Sequence, residues 1–295
     1  MRGDRNITCL GTRRDIMKKT LALVLTMGLV FSAFGCTPKN AQQATETAAE
    51  AASEAVETAG EAVETATEAA SAVEELVADV KSEGVMTYEE YAAADIDSEV
   101  VVETYVQAKQ SWWEDKATIY TQDQDGAYFL YEMACSEDDY AKLTPGTKIK
   151  VTGYKSEWEG EVEITDATFE IEDGNYVATA EDVTDLLGTD DLIKKQNMFV
   201  AVTGATIEAS TDANGNEVAY LYKWDGSGSQ GDDLYFNVSV NGKTYNFTVE
   251  SYLCDKDSDV YKAVEGLEVG QTVDLEGFLY WYQGVNPHIT KVTVK

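Results

Sequence analysis

Residues 143–154 read Leu-Thr-Pro-Gly-Thr-Lys-Ile-Lys-Val-Thr-Gly-Tyr. Pro145-Gly146 breaks the element before it, because proline cannot continue a helix and glycine accepts backbone angles that other residues avoid. From Lys148 to Gly153 polar and apolar residues then alternate, the period of a half-buried strand, with Ile149 and Val151 on the inward face. The same order returns downstream. Leu267-Glu-Val-Gly270 parallels Leu143-Thr-Pro-Gly146, and seven residues on, Gly277-Phe278 parallels Gly153-Tyr154. Trp158-Glu-Gly160 parallels Tyr282-Gln-Gly284, and Ile164-Thr-Asp-Ala-Thr168 parallels Ile289-Thr-Lys-Val-Thr293 with one inserted residue. Cys135 and Cys254 each stand just before the place where a helix is expected. Matches in one order mark an internal repeat.

Working outward, the first copy reads as short strands with turn residues between them. Met86 to Ala93 is a short helical lead-in. In Val100 to Gln107, residues Val100, Val102, Thr104 and Val106 share a face. Ala117–Gln122 and Ala127–Tyr131 flank Asp123-Gln-Asp-Gly126, a hairpin signal ending in Asp-Gly. Ser136 with an acid three residues on starts a short helix to Leu143. Glu161 to Ile171 is the last strand, with a bulge near Asp166 where the apolar phase slips. The order strand–strand–strand–helix–strand–strand is that of a five-stranded OB-type barrel.

Residues 98–171 resemble the OB-fold domains of the anticodon-binding type, through Val100–Gln107, Ile119-Tyr-Thr-Gln-Asp-Gln-Asp-Gly-Ala-Tyr128 and the stretch 143–154. The departure is charge, since nucleic-acid-binding members present basic grooves. The second copy follows a linker at Asp182 to Thr189 and has longer hairpins at Asp212-Ala-Asn-Gly215 and Trp224 to Asp233. The expected fold is all-β dominated: two tandem five-stranded OB-like barrels, each with one short helix, over residues 84–186 and 187–295.

The N-terminal part reads as an address. Met17-Lys18-Lys19 precedes an uncharged run from Leu21 to Phe34, and Ala33-Phe34-Gly35-Cys36 follows the layout of a secretory signal. The run is too short to span a bilayer, which takes roughly 20 apolar residues. Cys36 after a small residue resembles the lipobox of bacterial lipoproteins, although that family carries Leu where Ala33 stands and a smaller residue at Phe34. The resemblance implies an exported chain, lipid-anchored at the cell membrane through Cys36 and facing outward. Residues 1–16 read as an extension from an upstream start, 17–36 as the signal peptide, and 37–83 as an acidic Ala/Glu/Thr spacer. In the spacer Glu54-Ala-Val-Glu-Thr-Ala-Gly60 nearly repeats as Glu61-Ala-Val-Glu-Thr-Ala-Thr67. Ala and Thr make a poor coiled-coil seam, so a solvated stalk, helical or disordered, is the preferred reading.

The chain carries 22 basic and 54 acidic residues, a formal net charge of −32. Residues 1–35 hold six of the basic and two of the acidic ones, leaving 16 against 52, a net −36, for residues 36–295. Such a surface repels phosphate backbones and anionic headgroups. A local basic groove remains open, because Lys109, Lys116, Lys148, Lys150 and Lys155 cluster in the first copy. The single histidine, His288, leaves almost nothing for a catalytic triad or a multi-histidine metal site. Cys135 and Cys254 form no disulfide framework and no CxxC pair, and read as small buried residues. Asp123-Gln-Asp-Gly126 and Asp212-Ala-Asn-Gly-Asn-Glu217 space oxygen ligands as calcium loops do, but hairpin turns use the same residues. No cofactor is implied.

Aromatic side chains are the candidate ligand contacts. Trp112-Trp113 falls between the first two strands and Trp158 between the last two, the loops that border an OB barrel's binding face. The second copy offers Tyr222 and Trp224 on one alternating run, and Trp281 in the last hairpin. Exposed Trp and Tyr stack on sugars and bases, although large aromatics more often end in a core. The sequence therefore points to a non-enzymatic exported lipoprotein that binds a neutral saccharide or a protein through aromatic loops. The alternative, implied by the OB resemblance, is single-stranded nucleic-acid binding, which the charge disfavours.

Overall fold

The computed structural model describes residues 81–295; Cys36, the signal segment, the start extension and most of the spacer lie outside the described residues. The lead-in forms helix Tyr88–Ala93, started by a capping box in which Thr87 and Glu90 bond each other's backbone N–H. Tyr91 of this helix packs edge-on against Tyr128 at 4.9 Å, within the core of the first barrel. Lys155 Nζ closes the other end by donating to the carbonyls of Tyr91, Ala92 and Ala94.

The first barrel contains β1 (Glu99–Lys109), β2 (Lys116–Gln122), β3 (Ala127–Ala134), β4 (Thr147–Trp158) and β5 (Glu161–Asn175), closed in the order β1-β2-β3-β5-β4. Val100, Val102, Thr104 and Val106 all point inward and are fully buried, as alternation requires. The β2–β3 turn is held by Asp123, whose Oδ1 accepts from Asp125 N and Gly126 N at 2.8 Å. The helix after Ser136 covers Glu137–Tyr140, shorter than expected, and Leu143 continues it as a hydrogen-bonded turn up to Pro145. In the β4–β5 pairing, Asp166 and Ala167 together oppose Gly153, the bulge expected near Asp166. That crowding explains the glycine: a Cβ at position 153 would stand 2.7 Å from Ile164 Cγ2 and 2.9 Å from the Thr165 carbonyl.

The segment after β5 is pinned to the first barrel by Gln107, the extra residue of a β1–β2 bulge, whereas Val183 and Leu187 of the expected linker enter the core of the second barrel. The Gln107 amide donates to the Tyr176 carbonyl at 3.1 Å and accepts from Ala178 N at 2.8 Å. Short strand β6 (Glu181–Asp182) then pairs with β7 (Phe199–Glu208). The connection that follows holds β8 (Ser210–Thr211), β9 (Glu217–Val218) and β10 (Leu221–Tyr222), before β11 (Leu234–Val240) and β12 (Lys243–Val249). Both of the long hairpins expected in the second copy therefore fall within one connection, between its first two barrel strands. Helix Asp259–Glu265, capped by Ser258, leads to β13 (Thr272–Phe278) and β14 (His288–Val294). The pairings β7–β11–β12–β14–β13–β7 close a second five-stranded barrel with the same strand order. Gly277 matches Gly153 in space as in sequence: it faces a β14 bulge at Thr290, where a Cβ would collide with the His288 carbonyl.

The two barrels share an apolar interface. Tyr120 and Phe129, cross-strand partners on the outer face of β2 and β3, are buried against Phe278, Phe199, Leu253 and Tyr280. Tyr120 stacks on Phe278 at 4.3 Å and 11°. The hairpin tips that parallel each other in sequence also meet. Trp158 packs on Tyr282 at 5.2 Å, Gln283 N donates to the Glu159 carbonyl at 2.7 Å, and Gln283 Nε2 to Glu159 Oε2 at 2.9 Å.

Candidate functional site: an aromatic groove on the second barrel

In an OB barrel the outer face of the second and third strands, with the loops beside it, is where ligands bind. On the first barrel that face carries Tyr120 and Phe129, and the second barrel covers it. On the second barrel the corresponding strands are β11 and β12. Residues 234–240 read Leu-Tyr-Phe-Asn-Val-Ser-Val, so Leu234, Phe236, Val238 and Val240 enter the core and Tyr235 and Asn237 face out. Tyr235 pairs across to Thr248, and Asn237 to Asn246. These four residues floor an open groove of about 1070 Å³.

The long first connection and the last hairpin form the walls. Leu221 and Trp224 come from the former, Tyr280 and residues 282–286 from the latter, and Trp158 reaches in from the first barrel. Trp224 is 69% exposed, Trp158 52% and Tyr282 48%, so three aromatic faces remain open to a ligand. The floor is a chain of amides and hydroxyls: Asn246 Nδ2 donates to Asn237 Oδ1 at 2.9 Å, Asn237 Nδ2 to Ser210 Oγ at 3.1 Å, and Thr248 Oγ1 to Asn286 Oδ1 at 3.1 Å. Such groups hold each other in place and still offer donors and acceptors to a ring edge.

One end of the groove is acidic. Asp233 Oδ1 accepts from Ser251 N and Oγ at 2.8 and 2.7 Å. Glu250 accepts from Tyr252 N and Leu253 N; burial, reinforced by Asp233, pushes its carboxyl up to about 7. Burial, with the two carboxylates adding to it, also pushes the Tyr235 phenol up to about 12. His288 lies at the base, stacked on Tyr280 at 4.3 Å, with Nδ1 sharing a 2.9 Å hydrogen bond with Tyr120 Oη. Burial pushes the imidazole down to about 3, so it is neutral at physiological pH.

The expected contact residues divide. Trp158 and Trp224 line the groove. Trp281, between two groove residues, turns into the packing of the second barrel. Tyr222 also packs against that core, donating its hydroxyl to Glu265 at 2.6 Å. Trp112 is half-buried, with Nε1 bonded to the Cys135 carbonyl at 2.9 Å; Trp113 is exposed, and neither lines the groove. Tyr235, Asn237 and Asn246 were not anticipated, although the alternation of residues 234–240 carries the signal.

Four of the five lysines of the basic cluster are committed to partners within the first barrel. Lys109 bonds the Tyr140 carbonyl and lies over the Tyr140 ring, Lys116 pairs with Glu132, Lys148 with Glu103 and Glu172, and Lys155 holds the lead-in helix. Among the described residues no lysine or arginine lines the aromatic groove. The two acidic turns direct Asp123 and Asp212 onto their own backbones, and Asp123 also pairs with Lys81 at 2.6 Å. Cys135 and Cys254 carry free thiols.

No family model matches the chain, and no curated protein matches it. Solved structures with a similar arrangement include the Ifi202 HINa domain in complex with 20-bp double-stranded DNA, at 11% identity and TM-score 0.31, covering 67% of this chain and 98% of that one. A murine DNA-binding protein bound to double-stranded DNA follows at 11% identity and TM-score 0.33, with 66% and 96% covered. The single-stranded DNA-binding protein from Thermus aquaticus, as a deletion mutant, is similar at 11% identity and TM-score 0.22, with 67% and 93% covered. These findings correct the partner expected from the sequence. The partner named for each of these proteins is DNA, not the saccharide or protein ligand of a lipid-anchored chain that was expected with nucleic acid disfavoured by charge.

Proposed function

We propose that this chain is a non-enzymatic, single-stranded nucleic-acid-binding protein whose second barrel takes bases into the β11–β12 groove. The observation that carries the reading is the set of three open aromatic faces, Trp224, Trp158 and Tyr282, above an amide floor on the strand face that OB barrels use for ligands. Base–aromatic stacking is worth about 1–3 kcal/mol per base and tolerates sequence, because every base has a π-face. Asn237, Asn246 and Asn286 supply donors and acceptors to base edges. With no cation in the lining, the bases face inward and the phosphates face solvent. This mode differs from backbone-led binding in one measurable way. Each phosphate neutralised by Lys or Arg releases counterions and steepens the loss of affinity with salt; here added salt should leave affinity unchanged or raise it, because it screens repulsion between phosphate and the acidic surface.

The test is a titration of the full chain with short single-stranded DNA at two salt concentrations, following tryptophan fluorescence. Saturable quenching that does not weaken as salt rises, and no competition from duplex, is the expected result. An absence of saturable quenching at either salt concentration overturns the reading.

A further inference from the structure

Glu161 opens β5 in the first barrel and is fully buried where that barrel meets the second. Its Oε2 accepts from Trp281 N at 2.8 Å and from Gln196 Nε2 at 3.3 Å. Trp281 is flanked by Tyr280 and Tyr282, which both line the groove, so this one carboxyl oxygen holds the backbone of the groove's rim. The other oxygen, Oε1, is buried without a hydrogen-bond partner, and so is Oδ1 of Asn197. The Asn197 side chain lies within hydrogen-bonding reach of the Glu161 carboxyl, and its Nδ2 is committed to the Val162 carbonyl at 3.0 Å. Each unpaired buried acceptor costs its desolvation. A single proton on Glu161 Oε1, donated to Asn197 Oδ1, satisfies both.

We infer that Glu161 is a positioning residue for the groove: as a neutral carboxylic acid it bridges Asn197 and Trp281 N, locks the last hairpin of the second barrel onto the first, and releases that hairpin when it ionises.

Burial outweighs the hydrogen bonds from Asn197, Trp281 N and Gln196, which by themselves favour the carboxylate. Glu163, on the same strand, adds negative charge. Tyr88 and Tyr91 of the lead-in helix, Tyr120 of β2 and Tyr280 of the last hairpin all face the carboxyl, and burial raises each phenol, so all stay neutral. Gln196 and Asn197, from the segment before β7, are uncharged, and among the described residues no cation acts on the group. Burial pushes the carboxyl from its ordinary 4.5 up to about 8. A carboxyl raised in the closed form stabilises that form fully below its open-form value and loses the effect as pH rises through the closed-form value. The open population therefore rises by up to about tenfold per pH unit between the two, then levels off.

The experiment compares the full wild-type chain with Glu161→Gln. The glutamine keeps an acceptor for Trp281 N and places a fixed N–H donor toward Asn197 Oδ1. Amide hydrogen exchange at Trp281 is followed from about pH 5 to about pH 9, taking the wild-type to E161Q ratio at each pH to cancel intrinsic exchange. The ratio is expected to climb with pH and then flatten. A ratio constant across the range overturns the inference. Infrared spectra supply a second readout: the wild-type minus E161Q difference at neutral pH is expected to show a protonated carboxylic acid band, and a carboxylate band there overturns it. If E161Q does not fold, exchange at Trp281 in the wild-type chain, corrected for intrinsic rates, decides alone: protection that falls with pH supports the lock, and flat protection refutes it.

Discussion

Replacing Phe278 with alanine tests whether the barrels are held together as described. The ring is 3% exposed, lies flat on Tyr120 at 4.3 Å and leans on Phe199 at 5.3 Å. It contributes to the interface cluster and to neither barrel's interior. A buried Phe→Ala change costs about 3–5 kcal/mol, the transfer of the ring plus the cavity it leaves. For a folded unit of this size each kcal/mol moves Tm by roughly 2–4 °C, so Tm should fall by roughly 6–20 °C. The assay is thermal unfolding followed by far-ultraviolet circular dichroism and by tryptophan fluorescence. In the wild type the two signals should coincide, because the barrels unfold together. In F278A they should separate, since the docking is lost while both interiors are intact. A Tm within about 2 °C of wild type, with coincident transitions, would refute the claim that this ring anchors the interface.

Tyr120→Phe keeps the stack on Phe278 and removes the hydroxyl, leaving His288 Nδ1 without its partner; stability should fall by about 1–3 kcal/mol in a denaturant titration. Gly277→Ala drives a Cβ into the His288 carbonyl, and overpacking against backbone should cost about 1–3 kcal/mol or more, read as a lower denaturation midpoint. Trp224→Ala removes an exposed ring, so Tm should barely move, whereas affinity for single-stranded DNA should weaken by about 1–3 kcal/mol, roughly 5- to 160-fold. Glu250, pushed up to about 7, is negative above that value and neutral below it. Lowering the pH through it removes repulsion against phosphate, so oligonucleotide affinity should rise on acidification, and Glu250→Gln should flatten that rise.

The fold was legible because its signals are local. Alternation at Lys148–Gly153, the Asp-Gly turn and the repeated glycines each report on a few neighbouring residues, and Gly153 and Gly277 turn out to face equivalent bulges. The docking of the barrels was not legible. Tyr120 and Phe129 alternate with core residues as any outward-facing pair does, and nothing in strand periodicity tells whether water, a ligand or another barrel covers such a face. The site was half legible for the same reason. Trp158, the last residue of β4, and Trp224, in the long connection, stand beside turns that composition alone picks out. Tyr222 and Trp281 look equally exposed in sequence, yet one donates to Glu265 and the other packs against the second core with its backbone bonded to Glu161. The lysine cluster stayed undecided in the sequence because spacing along the chain does not reveal the carboxylates and carbonyls that Lys109, Lys116, Lys148 and Lys155 meet in space.

The closure of one sheet face by the neighbouring barrel sets the valence of the molecule. A duplicated fold ordinarily doubles the number of docking places, and two linked places gain from effective concentration. Here the first barrel's face is used up internally, so among the described residues duplication leaves the second- and third-strand face open on the second barrel alone. Titrations should saturate at one ligand per chain. Cutting the chain at the linker would not release a second working module; it would bare Tyr120, Phe129 and Phe278, an apolar patch that invites aggregation.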